Sequence, residues 1–223
     1  MAQEAGKEPQ AMPDDTTFIF NSPRKLTTYG DEQAARDLAW AFDLTFSGSG
    51  FGAGFMLQKK LGNDFQGFFE FLISGARNTD EFETFDFDDS AWRVDDKINR
   101  VFIFPIALGM NYQIFSNAIS ESFRPYLTAG GGITYVLTTP YRENRQPDSS
   151  HISFFEAFGE ADHYVRPLIM GGIGGSFGSG SNHTAFNIRY YYIPFSEGLE
   201  SVAGVPMYNL GGVFLTFSVG MYF

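Results

Sequence analysis

The sequence predicts an all-β protein, an eight-stranded antiparallel up-and-down transmembrane β-barrel. Three observations support this prediction. Apolar side chains occupy every second position in eight segments, which is typical of strands with one apolar face. The 223 residues include 26 Phe and 25 Gly, and aromatic rings favour pleated sheets, whereas glycines mark bends and close backbone contacts. The later segments also contain almost no charged residues.

The alternating segments follow one another from residue 38 to the C-terminus. In the first, LAWAFDLTF, the even-numbered positions are apolar and the odd-numbered positions are small or polar. Bacterial outer-membrane barrels have an even number of strands, so eight segments predict one barrel domain over residues 38–223. The eight segments are 38–46, 51–60, 65–75, 101–115, 123–137, 163–178, 184–195 and 208–223.

The connections between the segments alternate in length. Short turns follow the second, fourth and sixth segments, and long polar loops follow the third, fifth and seventh. Only the short SGSG after the first segment breaks this alternation. Alternate connections of an up-and-down meander lie at opposite ends of the barrel. One end should therefore carry short turns and the other long loops, as outer-membrane barrels do in the periplasm and outside the cell.

The charge content of the last five segments indicates which solvent the apolar face meets. Their 74 residues contain three charged side chains, Arg124, Arg166 and Arg189, whereas a water-facing surface carries roughly a quarter to a third charged residues. A soluble barrel with its apolar face inside would need such a surface outside. We therefore expect the apolar face to meet hydrocarbon and the small, polar, glycine-rich face to line the lumen.

The requirement for closure accounts for the C-terminal sequence. A bilayer offers backbone amides no hydrogen-bond partner, so strands within it must form a closed ring, and the last segment must pair with the first. The C-terminal Phe223 is then expected in the aromatic girdle at the headgroups. The last strand resembles the signal that the bacterial barrel-assembly machinery recognises, through Phe217, Val219, Met221 and Phe223.

Two neighbouring segments carry a further resemblance. PIALGMNYQIF and FRPYLTAGGGITYVL are similar to consecutive strands of small OmpW/OmpX/OmpA-type barrels, in which an RPY…G.G strand is frequent. The resemblance covers residues 38–223 in architecture. It implies the bacterial outer membrane as the location, outer-membrane lipid as a partner, and the assembly machinery as a partner during biogenesis.

Composition argues against several other classes of protein. The formal charge of −11 disfavours nucleic acid binding, which is driven by clustered basic residues. No cysteine is present, so the chain has no disulfide, thiolate metal site or lipoprotein-type acylation site. The longest uncharged apolar run, residues 101–110, is shorter than the about 20 residues of a spanning helix. We predict no cofactor and no metal.

Residues 1–37 differ in composition from the rest of the chain. They are polar, contain Pro9, Pro13 and Pro23, and show no sustained period, which predicts a periplasmic leader and not a folded domain. The start MAQEAGKEPQ lacks the basic and apolar regions of a signal peptide, so we expect AQE to be a mature N-terminus behind an added Met1. The apolar stretch TTFIF could plug the lumen or dock on a partner.

Strand parity predicts a polar network inside the barrel. An eight-stranded barrel is only just wide enough for its own side chains, so we expect ion pairs and hydrogen bonds that hold it rigid. The alternative is a polar conduit. The predicted network comprises Asp43, Glu70, Arg124, Arg166, Arg189 and Tyr191. Strand parity directs six further polar residues inward: Thr45, Thr128, Thr134, Asn187, Thr216 and Ser218.

Six glycines share the inward parity. Because they have no side chain, they leave volume that a small apolar ligand or the leader could occupy. These lumen glycines are Gly130, Gly132, Gly172, Gly174, Gly212 and Gly220.

The loop of residues 77–99 carries eight acidic residues against three basic ones. Oxygen ligands at this density could hold Ca²⁺, but the spacing lacks the EF-hand pattern with its central glycine. The preferred interpretation is a hairpin extended above the membrane, with its acidic residues in water and its phenylalanines packed as a partner surface.

A hydrolytic role depends on a His-x-Ser pair. Outer-membrane lipid A deacylases carry such a pair, with an acid, on a late strand, but the matching strand here has Tyr190 to Tyr192 where the His is required. His151 and Ser153, with Glu156 nearby, lie in a long loop without the rigid geometry of a triad. The sequence thus predicts a protein that is not an enzyme, and a lipid A-modifying hydrolase remains as a third alternative only through His151 and Ser153.

Two non-enzymatic functions remain from the sequence. The OmpW-like appearance favours a structural or binding barrel with long acidic extracellular loops, which could bind or pass a small hydrophobic compound. The alternative is an accessory subunit of a larger cell-envelope assembly, docked through its leader and loops.

Overall fold

The computed structural model describes residues 37–48, 50–62, 64–78, 80–87, 91–94, 96–114, 123–141, 158–177 and 181–223. Twelve strands lie in these ranges, and no helix among them is long and apolar enough to cross a membrane. The strands are β1 (Leu38–Ser47), β2 (Gly50–Lys60), β3 (Phe65–Ala76), β4 (Glu83–Asp86), β5 (Ala91–Val94), β6 (Asn99–Gln113), β7 (Phe123–Pro140), β8 (Asp162–Phe177), β9 (Asn182–Tyr192), β10 (Pro194–Val202), β11 (Val205–Asn209) and β12 (Gly212–Tyr222).

Eight of these strands form a closed antiparallel barrel, which confirms the predicted fold. Their order around the ring is β1, β12, β9, β8, β7, β6, β3 and β2. The last strand closes on the first with Leu44 opposite Phe217, and the Phe223 amide donates to the Leu38 carbonyl at 2.8 Å. We call the end with the chain termini of the barrel the turn end, and the end that carries the long connections the loop end.

Two further hairpins lie at the loop end. β4 pairs with β5 in the acidic connection, where the sequence predicts an extended hairpin. β10 pairs with β11 in the seventh connection, where the sequence predicts only a polar loop. Two register shifts interrupt that second hairpin, between Pro194 and Leu199 and between Glu200 and Val202. These irregularities break the alternation of apolar residues on which the prediction of strands depends.

The outer face of the barrel is apolar along every strand. Ile188 and Leu215, opposite each other at mid-height, are each 41% exposed. Outward tyrosine rings lie near the two ends of this face, as in the girdles of membrane barrels, whereas phenylalanines such as Phe55 and Phe217 lie at mid-height. On β7 the girdle residues Phe123 and Tyr135 are twelve positions apart, which at strand spacing and tilt corresponds to about 30 Å, close to the thickness of a hydrocarbon core.

The lumen is filled by side chains of two kinds. Polar groups occupy its middle and its turn end, as the sequence predicts. The part nearer the loop end is instead packed with large apolar side chains, contrary to the prediction of a small and polar interior throughout. This apolar lumen core includes Leu72, Val101, Ile103, Val136, Leu168 and Phe214.

Candidate functional site

The centre of the lumen contains a buried ion pair. Arg189 and Tyr191 project inward from alternate positions of β9, and Glu70 projects towards them from β3. Arg189 Nη1 and the Tyr191 hydroxyl both donate to the Glu70 carboxylate, and all three residues are at most 1% exposed. The guanidinium also lies 5.8 Å from the centre of the Phe68 ring. One carboxylate and one guanidinium therefore neutralise each other in a site closed to water.

A neutral contact on the lumen wall, nearer the turn end, spans the single strand β8. The Tyr126 hydroxyl donates to Asn187 Oδ1, and both side chains are buried. Asn187 is among the inward polar residues predicted from the sequence, whereas Tyr126 is not. Their contact depends on the registers of β7 and β9 with β8, which alternation alone does not give.

Two other members of the predicted network lie at opposite ends of the lumen, and the third lies in its middle without a hydrogen bond to the central pair. Arg166 lies at the loop-end rim, where Nη2 is 3.4 Å from Glu197 Oε2 and the guanidinium is 4.2 Å from the centre of the Phe195 ring. Arg124 lies partly buried at the turn end. Asp43 is fully buried but makes no hydrogen bond with Glu70 or Arg189 among the described residues. The predicted network is thus three separate groups of residues.

Large inward side chains cover three of the six lumen glycines. A Cβ at Gly130 would lie 3.2 Å from the Phe68 ring, and one at Gly174 would lie 2.8 Å from the Tyr126 ring. A Cβ at Gly172 would lie 3.1 Å from Arg189 Cγ. The volume that these glycines leave is therefore taken by the chain itself. The remaining three are Gly132 and Gly220, which lie against the backbone of neighbouring strands, and Gly212, which has open space around it.

The β10–β11 hairpin, with the residues that flank it, closes the loop end of the barrel, and we call residues 193–211 the cap. Ile193, Phe195, Leu199 and Leu210 are buried in the same cluster as the apolar lumen core. Backbone hydrogen bonds hold the cap to the acidic connection: Ile98 donates to Ser201 at 2.8 Å, and Ala203 donates to Asp96 at 3.0 Å. Among the described residues, the cap therefore covers the apolar lumen core at this end.

Glu81 fixes the acidic connection beside the cap. Its side chain is 1% exposed and accepts from Lys97 Nζ at 2.8 Å, while Arg77 Nε lies 3.2 Å away. The Asn78 amide also donates to Glu81 Oε1, at 3.3 Å. Burial alone would raise the pKa of Glu81, but hydrogen bonds from Lys97 and Ser201 and the charge of Lys97 outweigh it and lower the pKa. The folded cap thus favours the ionised carboxylate.

This lowered pKa predicts that acid loosens the cap. A carboxyl group whose pKa is lowered by folding stabilises the folded state at pH values above its ordinary pKa of 4.5. This contribution is lost as the pH falls through the lowered pKa of the folded state. We expect Glu81→Gln at neutral pH to reproduce this loss. Hydrogen exchange at the Ile98 and Ala203 amides should be about tenfold faster, because a hydrogen bond to a charged group contributes about 1.5–3 kcal/mol.

A matched control for this prediction is Glu83→Gln. The Glu83 side chain is 55% exposed and contacts Arg77 alone among the described ion pairs, so its replacement should leave exchange at both amides unchanged. Equal exchange in the Glu81 and Glu83 variants, compared at the same pH, would contradict the role of Glu81.

The tip of the acidic connection exposes aromatic rings. Phe82 is 71% and Phe87 is 85% exposed, and the Phe85 and Phe87 rings meet edge to face at 5.1 Å. Among the described residues, no group of three or more His, Cys, Asp or Glu side chains could hold a metal ion. Three acids of the predicted Ca²⁺ alternative, residues 88, 89 and 95, lie outside the described residues.

The other predicted sites divide between described and undescribed residues. His151, Ser153, Glu156 and the leader up to residue 36 lie outside the described residues. On the last strand, the side chains of the predicted assembly signal face outward and are 42–59% exposed. These are Phe217, Val219, Met221 and Phe223.

Comparison with solved structures shows the fold. The chain is similar to a major outer membrane protein from Thermus thermophilus, with a TM-score of 0.56 and 9% identity over 85% of this chain and 100% of that one. It is also similar to the N-terminal β-barrel domain of Pseudomonas aeruginosa OprF, with a TM-score of 0.47 and 13% identity over 84% and 98% of the two chains. No family model matches the chain. The search of curated proteins finds no match.

Proposed function

We propose that this small eight-stranded barrel of the outer-membrane type lies in a bacterial outer membrane as a non-enzymatic protein with a sealed lumen. In this proposal its loop end presents an acidic surface outside the cell. The observation that carries the proposal is the apolar outer face, which runs round a closed ring of strands and ends in aromatic residues at both rims. Such a face is stable in contact with hydrocarbon, whereas in water it would cause aggregation.

The packing of the lumen supports a structural or binding role over a transport role. The ion pair of Glu70 and Arg189 fills its middle, and the apolar lumen core and the cap fill the rest up to the loop end. A solute would have to displace both. We therefore favour surface presentation over the passage of a small hydrophobic compound.

The distribution of charge supports the loop end as the functional surface. Its three long connections, residues 77–98, 141–161 and 193–211, contain fourteen acidic and five basic residues, a formal charge of −9 out of −11 for the chain. The three connections at the turn end contain two acidic residues and no basic one. Such an asymmetric field attracts cationic partners and repels anionic ones.

Cysteine labelling tests both the location and the orientation. The chain has no cysteine, so an unmodified chain gives no background. We expect Asp80→Cys, at an exposed site of the loop end, to react with a membrane-impermeant maleimide on intact cells. Gly62→Cys, at a turn with open space around it, should react only after the outer membrane is permeabilised.

The pattern of labelling separates the possible outcomes. Labelling of the residue-62 variant alone on intact cells would mean the reverse orientation, and labelling of neither variant before lysis would contradict the location. Both variants should react equally well in detergent, which controls for the reactivity of the two sites.

A second candidate function is that of a subunit docked on a protein partner. The exposed rings of Phe82 and Phe87, surrounded by acidic residues, support it, because contiguous exposed apolar groups mark interaction sites. The partner surface would be basic, with apolar groups to cover the rings. In cells that contain such a partner, the cysteine at position 80 should be protected from the maleimide, and it should react once the barrel is purified.

A further inference from the structure

A second carboxylate lies in the lumen outside the central ion pair. Asp43 is 0% exposed, and the one donor that acts on its carboxylate among the described residues is the Ser218 hydroxyl, which lies outside normal hydrogen-bond geometry. The cation that acts on it is Arg189, but that guanidinium already binds Glu70. The buried middle of the barrel thus contains two carboxylates and one guanidinium.

The other cationic side chains of inward parity lie away from this middle. Lys60 and Arg124 are at the turn end, where both are partly exposed. Arg166 is at the opposite rim, beside Glu197. A carboxylate that is buried without a counter-charge is costly, so Asp43 either holds a proton or pairs with a cation that the described residues do not supply at its own position.

Three buried hydroxyl residues lie at inward positions next to Asp43 on the lumen wall. β1 and β12 are paired so that Asp43 lies opposite Ser218 and Thr45 lies opposite Thr216. All four side chains are at most 1% exposed, and no hydroxyl of the three makes a hydrogen bond of normal geometry among the described residues. Opposite residues on one face have Cβ atoms about 5 Å apart. The Asp43 carboxylate and the hydroxyls of Ser218 and Thr216 therefore belong to neighbouring inward positions at the seam of β1 and β12, and we call these groups the oxygen patch. The Thr45 hydroxyl lies towards β2 instead, against the position that a Cβ at Gly52 would take.

We propose that the oxygen patch binds one monovalent metal cation, Na⁺ or K⁺, inside the barrel. Carboxylate and hydroxyl oxygens are hard donors that suit such ions. A single positive charge balances Asp43, whereas a divalent ion would leave one charge in excess. The ion would also bind oxygen atoms of both the first and the last strand, at the seam where the barrel closes. Its loss would weaken that seam.

Thermal unfolding in different salts tests the proposal. The full-length chain is folded in detergent and heated at one pH and one ionic strength in NaCl, KCl or N-methyl-D-glucamine chloride, whose cation is too large for the patch. We expect Na⁺ or K⁺ to raise the midpoint by about 5 °C when it is present at about one hundred times its dissociation constant. Asp43→Asn should abolish this difference, and Asp162→Asn, at an exposed position, should retain it.

A second variant keeps the proposal testable if Asp43→Asn fails to fold. Thr216→Val combined with Ser218→Ala retains the carboxylate and removes two ligands, so about tenfold more cation should be needed for half of the effect. Equal midpoints in all three salts would overturn the proposal and leave Asp43 balanced by a proton. A double variant with the cation dependence of the unmodified chain would overturn the role of the oxygen patch.

Discussion

Replacing Arg189 with methionine is expected to lower the free energy of unfolding by about 3–5 kcal/mol, the usual cost of removing one partner from a buried ion pair. Glu70 would remain buried with the Tyr191 hydroxyl as its one donor among the described contacts. Asp43 would also lose the cation that acts on it. Equilibrium unfolding by urea in lipid vesicles, followed by tryptophan fluorescence, measures the change.

Two further variants separate charge from packing in this prediction. The double variant Glu70→Gln with Arg189→Met also removes the Glu70 carboxylate, which the single Arg189→Met variant leaves without its partner. The double variant should therefore be more stable than the single one. Arg166→Met at the rim is the matched control: its side chain is 23% exposed and its partner Glu197 is 73% exposed, so the cost should be about 0–1 kcal/mol. Equal losses for Arg166→Met and Arg189→Met would refute a central role for the buried pair.

Strand parity was enough to place Glu70, Arg189 and Tyr191 in the lumen, but it could not pair them. Parity is a local property, because each residue points to the face opposite its neighbour. The contact between Arg189 and Glu70 joins residues 119 positions apart, on strands that are not adjacent in the ring. Which inward groups meet depends on the stagger of the strands, and alternation does not encode that stagger.

The apolar lumen core was missed for a different reason. In VFIFPI, both Val101 and Ile103 on one face and Phe102 and Phe104 on the other are apolar. Such a run signals a strand that is apolar on both sides, and this signal was available. The cap that covers it was less accessible, since the irregular pairing of β10 and β11 hides their alternation.

The lumen glycines were expected to leave empty volume inside the barrel, but the space beside some of them is filled by side chains. Gly130 and Gly174 were predicted to leave space in the lumen, but the rings of Phe68 and Tyr126 pack over them. Parity determines the face of the sheet on which each ring lies, but not how far the ring extends over the neighbouring strands. Close packing of a narrow lumen pairs large residues with small ones, and the partners of each pair lie on different strands.

Replacing Ile188 with arginine is expected to destabilise the barrel in a bilayer by about 2–4 kcal/mol, because a charged side chain at the midplane of a membrane barrel carries that cost. Ile188 lies at mid-height on the outer face, between Ile173 on β8 and Leu215 on β12, and is 41% exposed. The substitution leaves the lumen untouched. Urea unfolding in vesicles gives the change in free energy.

The depth dependence of this cost distinguishes a hydrocarbon environment from water. Tyr192→Arg is the matched control, because Tyr192 is on the same strand and face, is 46% exposed and lies at the loop-end girdle. Near the interface the cost should fall to about 0–1 kcal/mol. An outer face in water would tolerate arginine equally at both positions, since neither side chain is buried by the protein. A difference of about 1 kcal/mol or more between the two variants, with Ile188→Arg the less stable, is therefore the result that an apolar belt requires.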